Sequence, residues 1–162
     1  MSGARVELEF DNAAVLTAVR GALAELADPR PMLLDIGEAL VNSTRDRFSA
    51  QRGPDGQTWK SLSPRYLATK SPNPGKILQR RGDLVRQIFP QVEGATLLVG
   101  TDRVYGAVHQ FGALKGAFGK TRRGAPIPWG DIAARPFLGI SDDDAAEIIA
   151  IARDHLQARL QG

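Results

Sequence analysis

Two stretches that no regular element can absorb, residues 51–76 and 113–131, constrain the fold of this 162-residue chain more than anything else in it. The first is rich in Pro, Gly, Ser and basic side chains. The second sets Gly116, Gly119 and Gly124 among Lys115, Lys120, Arg122 and Arg123. Proline fixes φ and removes a backbone donor, and glycine raises the entropy that ordering must overcome. Long stretches of this kind inside a compact chain are functional or disordered more often than they are core. They divide the sequence into a helical start, a short β middle and a helical end. The 113–131 loop is expected to be mobile on its own.

The segments between them have clear periods. Val6, Leu8 and Phe10 alternate with Glu7 and Glu9, as a half-buried strand requires. Asp11 is placed to cap a helix carrying Leu16, Val19, Leu23 and Leu26 on one stripe, which Asp28-Pro29-Arg30-Pro31 ends. Leu33, Ile36, Leu40, Thr44 and Phe48 predict a second helix, with Arg45 and Arg47 complementing the negative end of its dipole. Within 51–76, Pro54-Asp55-Gly56 is a turn, and Trp59 and Tyr66 flank Leu62 as though the excursion folds down on something, such as another copy. Gly82–Gln87 reads as a helical turn. Ile88–Val92 and Thr96–Gly100 form a hairpin joined at Glu93-Gly94-Ala95. Tyr105–Gln110 reads as a short helix closed by Gly112 in a left-handed cap, and Arg135–Ile140 as a strand. Phe137 and Leu138 would then point to opposite faces, one to the core and one to a second covered surface. Ser141, with Asp144 three positions on, starts a last helix whose stripe is Ile148, Ala152, Leu156 and Leu160.

Composition narrows the function classes. There are no cysteines, so disulfides, thiolate metal sites and cysteine catalysis are excluded. No run approaches the roughly 20 apolar residues that span a bilayer. Met1–Phe10 lacks an apolar run behind a basic start, so no signal peptide is expected, and the cytoplasm of the producing cell is the expected destination. The net charge of +3 conceals a polarity. Residues 1–44 hold three Lys/Arg against seven Asp/Glu, and residues 45–86 hold ten against three. Residues 87–140 hold six against three, and residues 141–162 two against five. Acidic ends around a basic middle suit self-assembly by charge complementarity or contact with nucleic acid.

No catalytic constellation emerges. Gly119-Lys120-Thr121 resembles a phosphate-binding loop, but Leu114 stands where its first glycine belongs and no strand runs into it. His109 has Tyr105 and Gln110 nearby and no acid to orient it, so it positions a turn rather than moving a proton. His155 lies beside the last stripe as a half-buried or surface residue. Asp142-Asp143-Asp144 point in different directions, and the helix dipole alone accounts for them. No cofactor and no metal are expected. A basic nucleic-acid-binding module remains the alternative.

The blocks Tyr105-Gly106-Ala107-Val108-His109-Gln110-Phe111-Gly112 and Arg135-Pro136-Phe137-Leu138-Gly139-Ile140-Ser141 mix aromatic, glycine and polar residues unlike ordinary core strands. Together with Ile36-Gly37, Pro54-Asp55-Gly56 before Trp59, Leu78, Gly82, Leu84, Val99-Gly100-Thr101 and Ile127-Pro128-Trp129, their order resembles the phage virion morphogenesis family. These are the tail completion proteins of contractile-tailed phages. The resemblance covers nearly the full length as one domain, 1–162. One departure is Ala133, where members often carry proline. The resemblance implies a single α+β domain, a small antiparallel sheet with packed helices and the two long loops, related to head–tail connectors. It implies a non-enzymatic structural role in finishing the tail and joining it to the head, in the virion tail or neck after assembly in the host cytoplasm. It also implies a homo-oligomeric ring, hexameric symmetry favoured, contacting other tail or neck proteins and DNA in the channel. An assembly factor absent from the mature particle is a further alternative. Candidate interface or DNA-facing residues are Trp59, Tyr66, His109, Gln110, Phe111, Lys115, Lys120, Arg122, Arg123, Arg135 and Phe137.

Overall fold

The structure, a computed structural model, describes residues 12–162. The strand read at Val6–Phe10 and the Asp11 cap lie outside the described residues. The first helix, α1 (Ala13–Glu25), is capped by Asn12, whose Oδ1 accepts the Val15 N–H at 3.1 Å. Helix α2 (Arg30–Ala50) follows, entered through Pro29 and Pro31, where a missing N–H costs nothing. Then come α3 (Pro64–Thr69), α4 (Asp83–Arg86), strands β1 (Ile88–Glu93) and β2 (Thr96–Thr101), α5 (Gly106–Phe111) and α6 (Asp142–Gln161). The fold is a small α+β arrangement, with helices packed on an antiparallel two-stranded sheet. The strands pair from Ile88 with Thr101 to Glu93 with Thr96, the hairpin that the Glu93-Gly94-Ala95 turn predicts.

Helix α2 is the spine, and it buries two different faces along its length. Its first half (Met32, Leu33, Ile36) packs with Val15 and Ala22 of α1 and Ala145, Ile148 and Ala152 of α6. Its second half (Val41, Phe48) packs with Trp59, Leu84, Ile88, Phe137 and Leu138. Gly37 lets the hairpin close on the helix: a Cβ there would sit 2.6 Å from the Pro90 side chain. Ser141 and Asp144 form a reciprocal capping box at the start of α6, as their spacing requires.

Both long loops have more order than their composition suggests. The first contains α3, capped by Ser63. The second is an arm whose limbs are laced together. Ala113 and Ile132 exchange backbone hydrogen bonds (2.9 and 2.7 Å) at its base, Phe118 N–H donates to the Ile127 carbonyl (2.8 Å), and Thr121 N–H donates to the Ala125 carbonyl (2.8 Å). The second loop is thus paired limb to limb, and its glycines supply the positive φ that its tight turns need.

Candidate assembly surface

Among the described residues, 135–140 pair with no strand; Arg135, Phe137 and Leu138 are buried, while Pro136 is exposed. The strand expected there is replaced by a run whose backbone groups are satisfied by side chains. Buried N–H and C=O groups must find partners. The Gln110 carboxamide oxygen accepts from Phe137 N–H and Leu138 N–H, each at 3.0 Å, and its Nε2 donates to the Leu138 carbonyl at 3.0 Å. Trp59 Nε1 donates to the Pro136 carbonyl at 2.7 Å, and Arg135 N–H donates to the His109 carbonyl at 2.7 Å. Arg47 donates to the carbonyls of Phe137 (3.0 Å) and Gly139 (2.9 Å).

The same Arg47 guanidinium binds the Asp144 carboxylate, which also accepts the Ser141 N–H at 2.8 Å. Burial pulls the Arg47 pKa below its ordinary value, while the Asp144 charge opposes the shift. Arg47 lies in the last turn of α2, where a cation suits the dipole, but its side chain turns inward. It joins α2, the 135–140 run and α6 in the interior.

The expected division of Phe137 and Leu138 between two surfaces is also corrected. They are 0% and 6% exposed, both in the second core cluster, since an irregular run need not alternate sides. Phe48 holds Trp59 edge-on (centroids 5.3 Å) and Phe137 tilted (5.5 Å). Arg135 is buried as well, donating from Nε to the Lys60 carbonyl (2.7 Å) and from Nη2 to the Ser61 carbonyl (3.1 Å). Of the candidate contact residues, Trp59, Gln110, Arg135 and Phe137 are thus interior. In the free chain they are buried, and Trp59 and Gln110 hold residues 136–138 against the core.

The second long loop forms the arm. It leaves the body between the two motif blocks, with its feet at Gly112 and Ile132. Gly112 has φ 76° and ψ 178°, an extended mirror-image conformation rather than the expected left-handed cap. A Cβ there would lie 2.6 Å from the Ile132 carbonyl oxygen and 2.8 Å from the Ala134 nitrogen. Only glycine allows the two feet to come that close. Phe111 at the end of α5 and, beyond the feet, Leu114, Phe118, Ile127 and Trp129 are all exposed, Leu114 and Trp129 at 73% each. Lys115, Lys120, Arg122 and Arg123 share this arm and are exposed. Apolar side chains at this exposure have nothing to gain from water, and a contiguous set marks an interaction surface.

Tyr66 and His109 meet elsewhere, in a cleft of about 380 Å³ that Lys70, Arg80, Arg81 and Tyr105 also line. Lys70 is 6% exposed and its ammonium donates to the Lys76 carbonyl. Burial lowers its pKa, and the nearby charge of Arg80 adds to the effect. Burial likewise lowers the His109 pKa, with Arg135 contributing. The His109 ring stacks edge-on against Tyr105 (5.8 Å). A histidine held neutral beside cations, with Nδ1 buried and unbonded among the described residues, is poorly set up to carry a proton through a reaction.

Sequence reading missed the inward turn of Arg47 and the gathering of Lys70, Arg80 and Arg81 around the two tyrosines. It also passed over Leu114, Phe118 and Trp129 as contact residues, although large apolar residues inside a glycine-rich loop were a readable signal.

The family profile described as the phage virion morphogenesis family matches residues 10–157. The chain is similar to "Putative capsid assembly protein G" of Escherichia phage Mu, 32% identical with 97% of this chain and 92% of that protein covered. It is also similar to "Mu-like prophage FluMu G protein 2" of Haemophilus influenzae, 29% identical over 94% of this chain and 96% of that one. "Mu-like prophage FluMu G protein 1" of the same organism is 26% identical, with 96% and 98% covered. No solved structure matches. The chain belongs to the phage virion morphogenesis family, whose role is a structural one in building the virus particle.

Proposed function

We propose that the protein completes the phage tail and forms the neck interface through which the tail joins the head, working without turnover as a closed homo-oligomeric ring, hexameric symmetry favoured. The observation that carries this reading is the arm: a rigidly rooted projection whose exposed side chains are apolar at the flanks and cationic at the tip. A monomer that acted alone would have no use for it. The interior residues that distinguish the two motif blocks are spent on holding its feet, which is the arrangement a binding element needs. The neutral His109 without an acid supports a non-enzymatic role. The cations at the arm tip suit phosphates in the channel or carboxylates of neighbouring tail and neck proteins.

Removing the gene from its phage and inspecting the lysate by electron microscopy tests the reading. Full heads and separate tails in the same lysate are expected. Missing or aberrant heads beside normal tails would instead assign the protein to capsid assembly, as the name of the phage Mu relative suggests for that protein. Mass spectrometry of purified particles then distinguishes a retained neck component from an assembly factor that leaves.

A further inference from the structure

A second apolar surface lies away from the arm. It is a groove of about 680 Å³ along the length of β2, lined by the half-buried Val19 of α1, Leu40 of α2 and Leu97 and Val99 of β2, and by the core residues Val15, Leu33 and Ile148, which are themselves buried. Among the described residues, β2 has a strand partner only on its β1 side. An unpaired strand edge beside apolar walls is a template for another chain segment. Glu93, the last residue of β1, and Asp102, just after the end of β2, stand on its rim and are exposed.

We propose that this groove receives the 111–129 arm of a second copy, making a head-to-tail contact that repeats around the assembly. This rests on the ring reading above and names the two surfaces that would build it. The arm exposes Phe111, Leu114, Phe118, Ile127 and Trp129, and the Phe118–Ile127 hydrogen bond brings two of them side by side. With about 200 Å² for each whole side chain, their exposed parts present roughly 600 Å². That is most of the roughly 800 Å² that each partner buries in a stable interface. Charge agrees with shape: the arm carries Lys115, Lys120, Arg122 and Arg123, and the groove rim carries Glu93 and Asp102. Two copies exchanging arms reciprocally would stop at a dimer, whereas the head-to-tail arrangement repeats. It leaves one arm and one groove open until a ring closes. Phe118, Trp129 and the four cations would also suit single-stranded nucleic acid, and the test separates that occupant from a second copy.

The absence of cysteine makes the test clean. Full-length Trp129→Cys and Leu97→Cys proteins, prepared separately, are mixed and oxidised. A disulfide between the two different chains is expected, and a ladder of products when both substitutions are in one chain. A disulfide of Trp129→Cys with itself alone would mean arms meeting arms, and would overturn the proposal. So would a bond from Leu97→Cys to Val6→Cys within one chain, which gives the groove to the chain's own first residues. Should Leu97→Cys fail to fold, charge reversal serves instead. Glu93→Lys with Asp102→Lys should raise the concentration for half-assembly about tenfold by light scattering, and Arg122→Glu with Arg123→Glu should restore it. No change from either pair sinks the proposal, as does a monomer that binds a single-stranded oligonucleotide through the arm with steep salt dependence. If joining fails in the deletion phage but no cross-link forms, this contact is wrong and the neck reading stands. If the cross-link forms and joining is unaffected, the contact stands and the neck reading falls.

Discussion

Two tryptophans in two loops of the same composition end in opposite places. Trp59 follows a small closed turn, with Arg52 and Thr58 bridged and Gly56 at φ 79°, and is 6% exposed. Trp129 follows a similar one, with Lys120 and Pro126 bridged and Gly124 at φ 81°, and is 73% exposed. Both loops are basic, proline- and glycine-containing, and pinned by backbone hydrogen bonds. The difference lies in what waits for the indole. Trp59 finds the Pro136 carbonyl for its N–H and the Phe48 ring for its edge. Trp129 has no hydrogen bond of its own among the described residues. A loop can be ordered either because the body completes it or because its limbs complete each other. Only the second kind is left with apolar surface to give away.

The sharpest way to break this contrast is to truncate the two indoles in turn. Trp59→Ala should cost about 3–5 kcal/mol in urea unfolding, since the buried ring and its hydrogen bond both go. If it costs under 1 kcal/mol, Trp59 is not the tie between loop and core. Gln110→Ala comes next. It strands the Phe137 and Leu138 N–H groups in the interior, at about 1–3 kcal/mol. The arm's pairing, followed by amide exchange at Phe118 and Ile127, should survive it less well than the hairpin does. Equal protection of both would mean the motif blocks do not root the arm.

His109 gives a pH test of the same root. Its folded pKa lies below its unfolded value of about 6.5. The unfolded chain therefore binds the proton more readily, so this contribution is present above pH 6.5 and is lost as pH falls from there through the folded pKa. Guanidinium unfolding at steps from pH 7.5 to 5 should show His109→Gln losing stability less steeply than the parent. Identical slopes would remove His109 from the buried root. The smallest expected effect completes the comparison: Trp129→Ala should change stability by less than about 0.5 kcal/mol while assembly suffers. A large loss of stability would place Trp129 in the core after all.

Much of the scaffold was legible before any coordinates. The hairpin, the breaks at Asp28–Pro31, the Ser141–Asp144 box and the stripe of α2 follow from local chemistry: turn residues, caps and the 3.6-residue period. The motif blocks were legible as unusual but not as what they are. Residues 135–140 carry strand-like composition because Phe137 and Leu138 belong to the core, yet side chains from Gln110, Arg47 and Trp59 take the place of a neighbouring strand. Those partners lie between 27 and 92 residues away along the chain, beyond the reach of any periodicity.

The sequence by itself therefore determined where elements start and stop, which helix faces are apolar, and which stretches are irregular. These depend on neighbours within a few residues, where backbone sterics and capping act. Tertiary structure alone decided which of the irregular residues face inward. Arg47 and Arg123 are the same side chain in a one-dimensional reading. The first is buried because a carboxylate and two carbonyls converge on it, and the second is exposed on an arm that no part of the body covers. Burying a charge is costly unless its partners are already in place, and only the folded chain puts them there.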